Sequence, residues 1–224
     1  MMGDQVRIKA EDGHELDVYV AEPKGEPIAA LVVVQEIFGV NAHIRSVADG
    51  YAKDGFLAVA PALFDRIERG VELSYEGEDV RKAMSFAKKL TMEDMLKDTS
   101  AAIEYAWGRT KKKTGVIGYC AGGSIAWLAA CRLEVDAAVG YYGGRIAEFV
   151  EEQPKCPVML HFGGKDAHIS QAAVAKIKAA HPEVPVYVYD AGHGFNCDAR
   201  ASYDAASAKL ARERSLGFLM ENLS

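Results

Sequence analysis

Residues 116–124 read VIGYCAGGS. A β-branched, strand-like run stops at Gly118, Cys120 stands two residues later, and a pair of glycines opens an apolar helical pattern. The spacing Gly118-Tyr119-Cys120-Ala121-Gly122 is glycine-x-nucleophile-x-glycine. In that arrangement a sharp strand-to-helix turn holds its central residue in a strained conformation, and glycines remove the side chains that would collide with the adjoining strand and helix. Cys120 at such a turn faces the cleft above a sheet. It also heads a helix, where backbone N–H groups favour a thiolate and the negative charge of an acyl-transfer intermediate. The Ala121 N–H is the natural first oxyanion donor. Two other readings compete. A phosphate-binding G-x-G-x-x-G turn needs glycine at position 120, where the cysteine stands. A buried structural thiol is the usual state of a free cysteine. The five residues do not decide between nucleophile and buried thiol; the partners must.

Outward from this turn, strand and helix patterns alternate. QVRIKA (5–10) and ELDVYVAEP (15–23) alternate polar and apolar residues, as half-buried antiparallel strands do, with Asp12-Gly13 a turn signal between them. IAALVVV (28–34) and FLAVAP (56–61) read as buried strands, and TGVIGY (114–119), VDAAVGYYG (135–143), CPVMLHFG (156–163) and VPVYVYDA (184–191) as further strands. Helical patterns fall at 43–55, 78–90, 92–107, 121–133, 171–180 and 202–223, and a long polar segment covers 65–77. Strands separated by helices predict an α/β architecture: a mainly parallel sheet with helices on both faces and an antiparallel N-terminal edge. No repeat or low-complexity linker divides the 224 residues, so one domain over 1–224 is expected.

Composition narrows the class. Half the residues are hydrophobic, 26% are charged, the formal charge is −6 and the pI about 5.6. Without a basic stripe, nucleic acid is a poor partner. The run 111–113 (KKK) reads as a solvated loop. The longest apolar runs fall far short of the ~20 residues a membrane span needs. The first fifteen residues, MMGDQVRIKAEDGHE, carry early charges and no apolar core of a leader. Cys120, Cys131, Cys156 and Cys197 are widely spaced, with no CxxC pair for zinc or redox work. The expectation is a cytoplasmic protein with reduced thiols, acting on a small molecule as a monomer or small homo-oligomer.

The partners of Cys120 follow from chain order. In an α/β-hydrolase the acid follows the nucleophile and the base comes last. MLHFGGKDAHIS (159–170) offers Asp166 just beyond a strand, and YVYDAGHGFN (187–196) offers His193 beyond the last one. Both fall at the C-terminal ends of strands, where open α/β sheets place their sites. Helix capping is the other reading of Asp166 and a surface loop the other reading of His193. His161 lies inside a strand pattern, His181 precedes a proline, and His168 is too near Asp166 to be the base. Glu36 follows the strand 28–34 and faces the same cleft, and the Ile37 N–H is placed to be a second oxyanion donor.

Five motifs, QEIFGVN (35–41), GYCAGG (118–123), GYYGG (140–144), GGKD (163–166) and AGHGF (191–195), together resemble the dienelactone hydrolase family of α/β-hydrolases, in order and over almost the whole chain. The resemblance implies the α/β-hydrolase fold and a Cys120–His193–Asp166 triad. It implies that Glu36 contacts the resting thiol and helps form the thiolate, and that no metal and no organic cofactor is needed. Family members hydrolyse a cyclic enol ester, a carboxymethylene butenolide, to maleylacetate, and bind its carboxylate with arginines. Arg81, in EDVRKAMSF (78–86), matches one of these. The other, four residues after the catalytic histidine, is Cys197 here; Arg200 is three residues further on. Aromatic residues expected after Arg81 are absent, with Ser85 and Lys88 nearby. The triad therefore carries over and the dienelactone pocket does not. The expected activity is hydrolysis of activated esters or enol lactones through a thioester. The alternatives are a carboxylesterase or other lactone hydrolase, or a thiol redox sensor pairing Cys120 with Cys197.

Overall fold

The structure, a computed structural model, describes residues 3–224; Met1 and Met2, the start of the segment read above for a leader, lie outside the described residues. Eight strands form one sheet: β1 (Asp4–Lys9), β2 (Glu15–Ala21), β3 (Ala29–Val34), β4 (Phe56–Pro61), β5 (Thr114–Tyr119), β6 (Ala137–Tyr141), β7 (Val158–Gly163) and β8 (Val186–Tyr189). Their order is β1-β2-β4-β3-β5-β6-β7-β8. The pairs β1/β2 and β2/β4 are antiparallel. All later pairs are parallel. This is the α/β sheet with an antiparallel N-terminal edge that the alternation predicted. Every residue of β3, β4, β5, β6 and β7 is buried, which is why those segments are runs of Ala, Val, Leu, Ile and Gly rather than alternating patterns.

Six helices cover the sheet: α1 (Ala42–Lys53), α2 (Gly77–Lys89), α3 (Met92–Thr110), α4 (Ala121–Arg132), α5 (Gln171–Ala180) and α6 (Ala205–Leu223). Four begin with a side-chain cap that answers a free N–H of the first turn: Asn41, Thr91, Ser170 and Asp204. The helix α4 differs. Its N-cap residue is Cys120, whose side chain makes no capping hydrogen bond, so the sulfur is free to face elsewhere. Residues Gly122 through Cys131 are all buried, which makes α4 a central helix rather than a surface one.

The 65–77 segment is polar by composition but is tied into the body. It begins in a short 3₁₀ turn, Leu63–Arg66, and a second such turn covers Ile146–Glu148; neither was anticipated. Asp65 is buried, and its two carboxylate oxygens accept the Asp17 N–H (2.8 Å) and the Gly70 N–H (3.3 Å). Val71 and Leu73 join the core, and Gly39 pairs with Glu72. Charges on this segment hid its anchoring because the carboxylate is satisfied by backbone donors.

Candidate active site

Four parallel strands end on one edge, and each is followed by a residue singled out in the sequence: β3 by Glu36, β5 by Cys120, β7 by Asp166 and β8 by His193. At Cys120 the backbone adopts φ 56° and ψ −116°, a conformation side-chain-bearing residues adopt at a cost of about 1–3 kcal/mol. The turn is held there by bonds on both sides. The Cys120 N–H donates to the Tyr141 carbonyl (3.0 Å), and the Cys120 carbonyl accepts from the Gly123 N–H (3.0 Å). A methyl group at Gly118 would overlap the Gly122 carbonyl, and one at Gly122 would overlap the Val34 and Gln35 carbonyls. The two glycines of the motif thus let strand, elbow and neighbouring loop approach closely.

Asp166, His193 and Cys120 form one relay. Asp166 Oδ2 lies 2.7 Å from His193 Nδ1, and His193 Nε2 lies 3.3 Å from Cys120 Sγ. Asp166 Oδ1 accepts the N–H groups of His168 (2.7 Å) and Ile169 (3.1 Å). Asp166 thus closes its own turn and faces the histidine at once; it does not cap α5, whose N-cap is Ser170. Burial works against the Asp166 charge, but the His193 hydrogen bond and the two backbone donors hold its pKa below the ordinary value. At His193 burial also opposes charge. The hydrogen bonds to Asp166 and Cys120 win, and the imidazole is raised to about 9. With Nδ1 facing the carboxylate, Nε2 is the ring atom that faces the sulfur.

The surroundings fix the ring. His193 is not a surface loop residue: its side chain is 12% exposed. Tyr142 packs against it with centroids 5.1 Å apart, and His168 meets it edge-on at 5.2 Å. The His193 carbonyl accepts the Ser202 hydroxyl (2.6 Å). Tyr142 was quoted in GYYGG but given no role. It is fully buried, has φ 39°, and its hydroxyl has no hydrogen-bond partner among the described residues. Two adjacent tyrosines flanked by glycines were the available signal.

The loop after β3 is tied to the elbow. The Gln35 carbonyl accepts the Gly122 N–H (3.2 Å), and the Gln35 side chain bridges the Glu36 carbonyl and the Leu63 N–H. Neither the Ile37 nor the Ala121 N–H is engaged among the described hydrogen bonds. Glu36 is buried and bonds not to Cys120 but to Arg200, whose Nη1 lies 3.1 Å from Oε1. The Arg200 guanidinium also lies over Phe38 (5.7 Å) and Tyr75 (5.6 Å). The sequence supplied no position for this arginine, because nothing in residues 196–204 signals the turn that folds it back. Arg81, by contrast, lies on α2 with its side chain 68% exposed and pairs with Glu78. It makes no described contact with the relay. His161 and His181, set aside from the sequence, are buried elsewhere, bonded to Tyr189 and Ser215 and to the Val150 carbonyl respectively.

Residues 16–223 match the model of the dienelactone hydrolase family. The chain belongs to that family. It is 36% identical to a carboxymethylenebutenolidase of Pseudomonas putida over 228 aligned positions, covering 98% of this chain and 97% of the relative. It is 30% identical to carboxymethylenebutenolidase 1 of Cupriavidus pinatubonensis, with the same coverage. A crystal structure from Klebsiella pneumoniae assigned to dienelactone hydrolase superposes with a TM-score of 0.83 at 30% identity, covering 97% of this chain and 99% of that one. An esterase from Pyrococcus furiosus, 16% identical with a TM-score of 0.74 and 99% and 93% coverage, shares the fold. This dienelactone hydrolase family member has the α/β-hydrolase fold and is a hydrolase of ester or lactone bonds. Among the described residues no helix is long and apolar enough to cross a membrane.

Proposed function

We propose that the chain hydrolyses activated esters or enol lactones of small molecules through a thioester on Cys120. The observation that carries the proposal is the continuous relay, 2.7 Å from Asp166 to His193 and 3.3 Å from His193 to Cys120. In this reading His193 takes the thiol proton and Asp166 holds the imidazole in the tautomer that accepts it. The thiolate attacks the carbonyl, and the N–H groups of Ala121 and Ile37 receive the oxyanion. The leaving oxygen takes the proton back from His193. Water then attacks the thioester, with His193 again as base, and the carboxylate product departs. No cofactor takes part.

The nucleophile narrows the substrate. A thiolate leaves a tetrahedral adduct more readily than an alkoxide does, so an adduct on a plain alkyl ester mostly reverts. An enol ester or activated lactone expels a stabilised enolate and goes forward. Glu36 assists thiolate formation once Arg200 lets it go, because a substrate carboxylate competes for the same guanidinium. Arg81 is the second proposed carboxylate ligand, and it must first leave Glu78. The competing redox-sensor reading has less support. Cys197 is fully buried and its thiol is raised to about 11 by burial and the nearby Glu36, whereas sensor thiols are exposed and low in pKa. A cytoplasmic setting fits four free thiols among the described residues.

The test is a panel of enol lactones, aryl esters and alkyl esters with Cys120→Ala as control. Turnover of the activated substrates, abolished in the variant, is expected. Robust turnover of plain alkyl esters by the wild type would overturn the leaving-group argument, and activity surviving Cys120→Ala would overturn the nucleophile.

A further inference from the structure

Beside the relay lies a second cluster, of which the proposed hydrolysis uses only Glu36. It is assembled from three separate segments: Glu36 after β3, His43 in the first turn of α1, and Cys197 in the loop after β8. One donor atom from each lies within 4.8 Å of the other two, and all three residues are buried. Glu36 Oε2 and His43 Nε2 are buried and have no hydrogen-bond partner among the described residues. Glu36 is 1% and His43 8% exposed. An orphaned polar atom in an interior is costly, and two in one cluster call for a common partner.

We propose that Glu36, His43 and Cys197 form a binding site for a zinc-class divalent cation adjoining the nucleophile. The donor set is one carboxylate oxygen, one imidazole nitrogen and one sulfur. That mixture suits zinc, whereas magnesium and calcium select oxygen. The outer partners are also in place. His43 Nδ1 lies 3.2 Å from Asp198 Oδ1, so Nδ1–H donates to the carboxylate and Nε2 keeps its lone pair. The nearby Tyr75 hydroxyl favours the Cys197 thiolate, and it accepts a hydrogen bond from Asn41 Nδ2 (3.1 Å). Around a tetrahedral zinc, bond lengths of about 2.0–2.3 Å separate the donors by about 3.3–3.8 Å. The three side chains therefore close in by about 1–1.5 Å at most on binding, and the fourth position is left to water or an external ligand. Arg200 holds only Oε1 of Glu36, which leaves Oε2 for the ion; its positive charge lowers the affinity without blocking the site. The ion takes no step in hydrolysis. It claims Glu36, the carboxylate next to the nucleophile, so occupancy alters the charge beside the relay.

The test titrates chelator-treated full chain with Co²⁺, a spectroscopic stand-in for Zn²⁺. One ion per chain, a thiolate-to-cobalt charge-transfer band and its bleaching by Zn²⁺ are expected. Cys197→Ser should remove the band, His43→Gln should abolish tight binding, and Cys120→Ser should keep both. Asp198→Asn should weaken binding about 10–100-fold, the usual effect of removing the partner of a ligating histidine. No band in the wild type, a band that survives Cys197→Ser, or one lost with Cys120→Ser would overturn the proposal. Should the buried variants fail to fold, Asp198→Asn decides, because that carboxylate is 73% exposed; unchanged affinity there overturns the site. Ester turnover without a cobalt band removes only the ion site, and a cobalt band without turnover removes only the hydrolase reading.

Discussion

Two histidines, one inside β7 and one just after the neighbouring strand β8, meet opposite fates. His193 has a carboxylate on Nδ1, a thiol near Nε2 and a partly open face, and its imidazole is raised to about 9. His161, inside β7, has a phenol on Nδ1 (Tyr189, 2.8 Å) and a hydroxyl on Nε2 (Ser215, 3.0 Å), and Ser215 continues to Tyr141 (2.7 Å). It is fully buried, and burial together with the nearby Arg214 lowers it to about 3. Both rings have two hydrogen-bond partners. What separates them is the charge of those partners: a carboxylate turns a buried imidazole into a base, and neutral hydroxyls turn it into a piece of core.

The sharpest way to break this contrast is Asp166→Asn. The amide keeps the shape but not the charge, and it stabilises the wrong tautomer of His193. A fall in kcat of roughly 10³–10⁴ is expected, by analogy with triads in which the same change has been made. The acid limb of kcat/KM, set by the His193 base titrating near pH 9 in the wild type, should move to lower pH in whatever activity survives. A variant with full activity and an unmoved limb would mean that Asp166 serves only as a turn cap.

The reciprocal change, His161→Phe, should spare the chemistry and damage the fold. It leaves Tyr189 and Ser215 each short of one partner, although Arg214 still reaches Tyr189 and Tyr141 still reaches Ser215. A loss of about 1–3 kcal/mol is expected in urea unfolding, with kcat/KM near the parent value. A large fall in kcat/KM at unchanged stability would show that the buried network feeds the site.

The same pair predicts how stability depends on pH. His161 binds its proton less readily folded than unfolded, so its contribution is present above about pH 6.5 and is lost as pH falls from there towards 3. His193 binds its proton more readily folded, so its contribution is complete below about pH 6.5 and is lost as pH rises through about 9. The two slopes have opposite sign and meet near neutrality. Urea midpoints measured across pH should therefore peak there, with His161→Phe flattening the acid side and Asp166→Asn the alkaline side. A profile that falls monotonically with pH would contradict one of the two environments.

Why the sequence distinguished these histidines, and where it stopped, has a physical basis. Strand ends are legible because buried strands are unbroken apolar runs and glycines mark the turns that follow; Cys120 and Asp166 follow such ends, and His193 follows the partly exposed strand β8, still an apolar and aromatic run. His161 sits within CPVMLHFG, where every neighbour is core, so its burial could be read although its partners Ser215 and Tyr189 could not. Arg200 and Tyr142 escaped for a different reason. Their positions depend on backbone turns, φ 39° at Tyr142 and the loop 196–204, which leave no periodic trace in composition. The polar stretch 65–77 concealed a buried carboxylate for the same reason: satisfaction by backbone donors cannot be seen in a list of side chains.

The smallest effect separates the two arginines. Arg200 is half-buried against Glu36, whereas Arg81 is mostly exposed and paired with Glu78 three residues away on α2, and such exposed pairs contribute about 0–1 kcal/mol to stability. Arg81→Ala should therefore leave the unfolding midpoint unchanged. If Arg81 reaches a substrate carboxylate, kcat/KM for anionic lactones should fall severalfold while neutral aryl esters are spared. Arg200→Ala should discriminate in the same direction and also cost stability, since it leaves the Glu36 charge buried and unpaired. Equal losses on anionic and neutral substrates in Arg81→Ala would return that residue to the solvated face of its helix and leave Arg200 as the arginine that reads substrate charge.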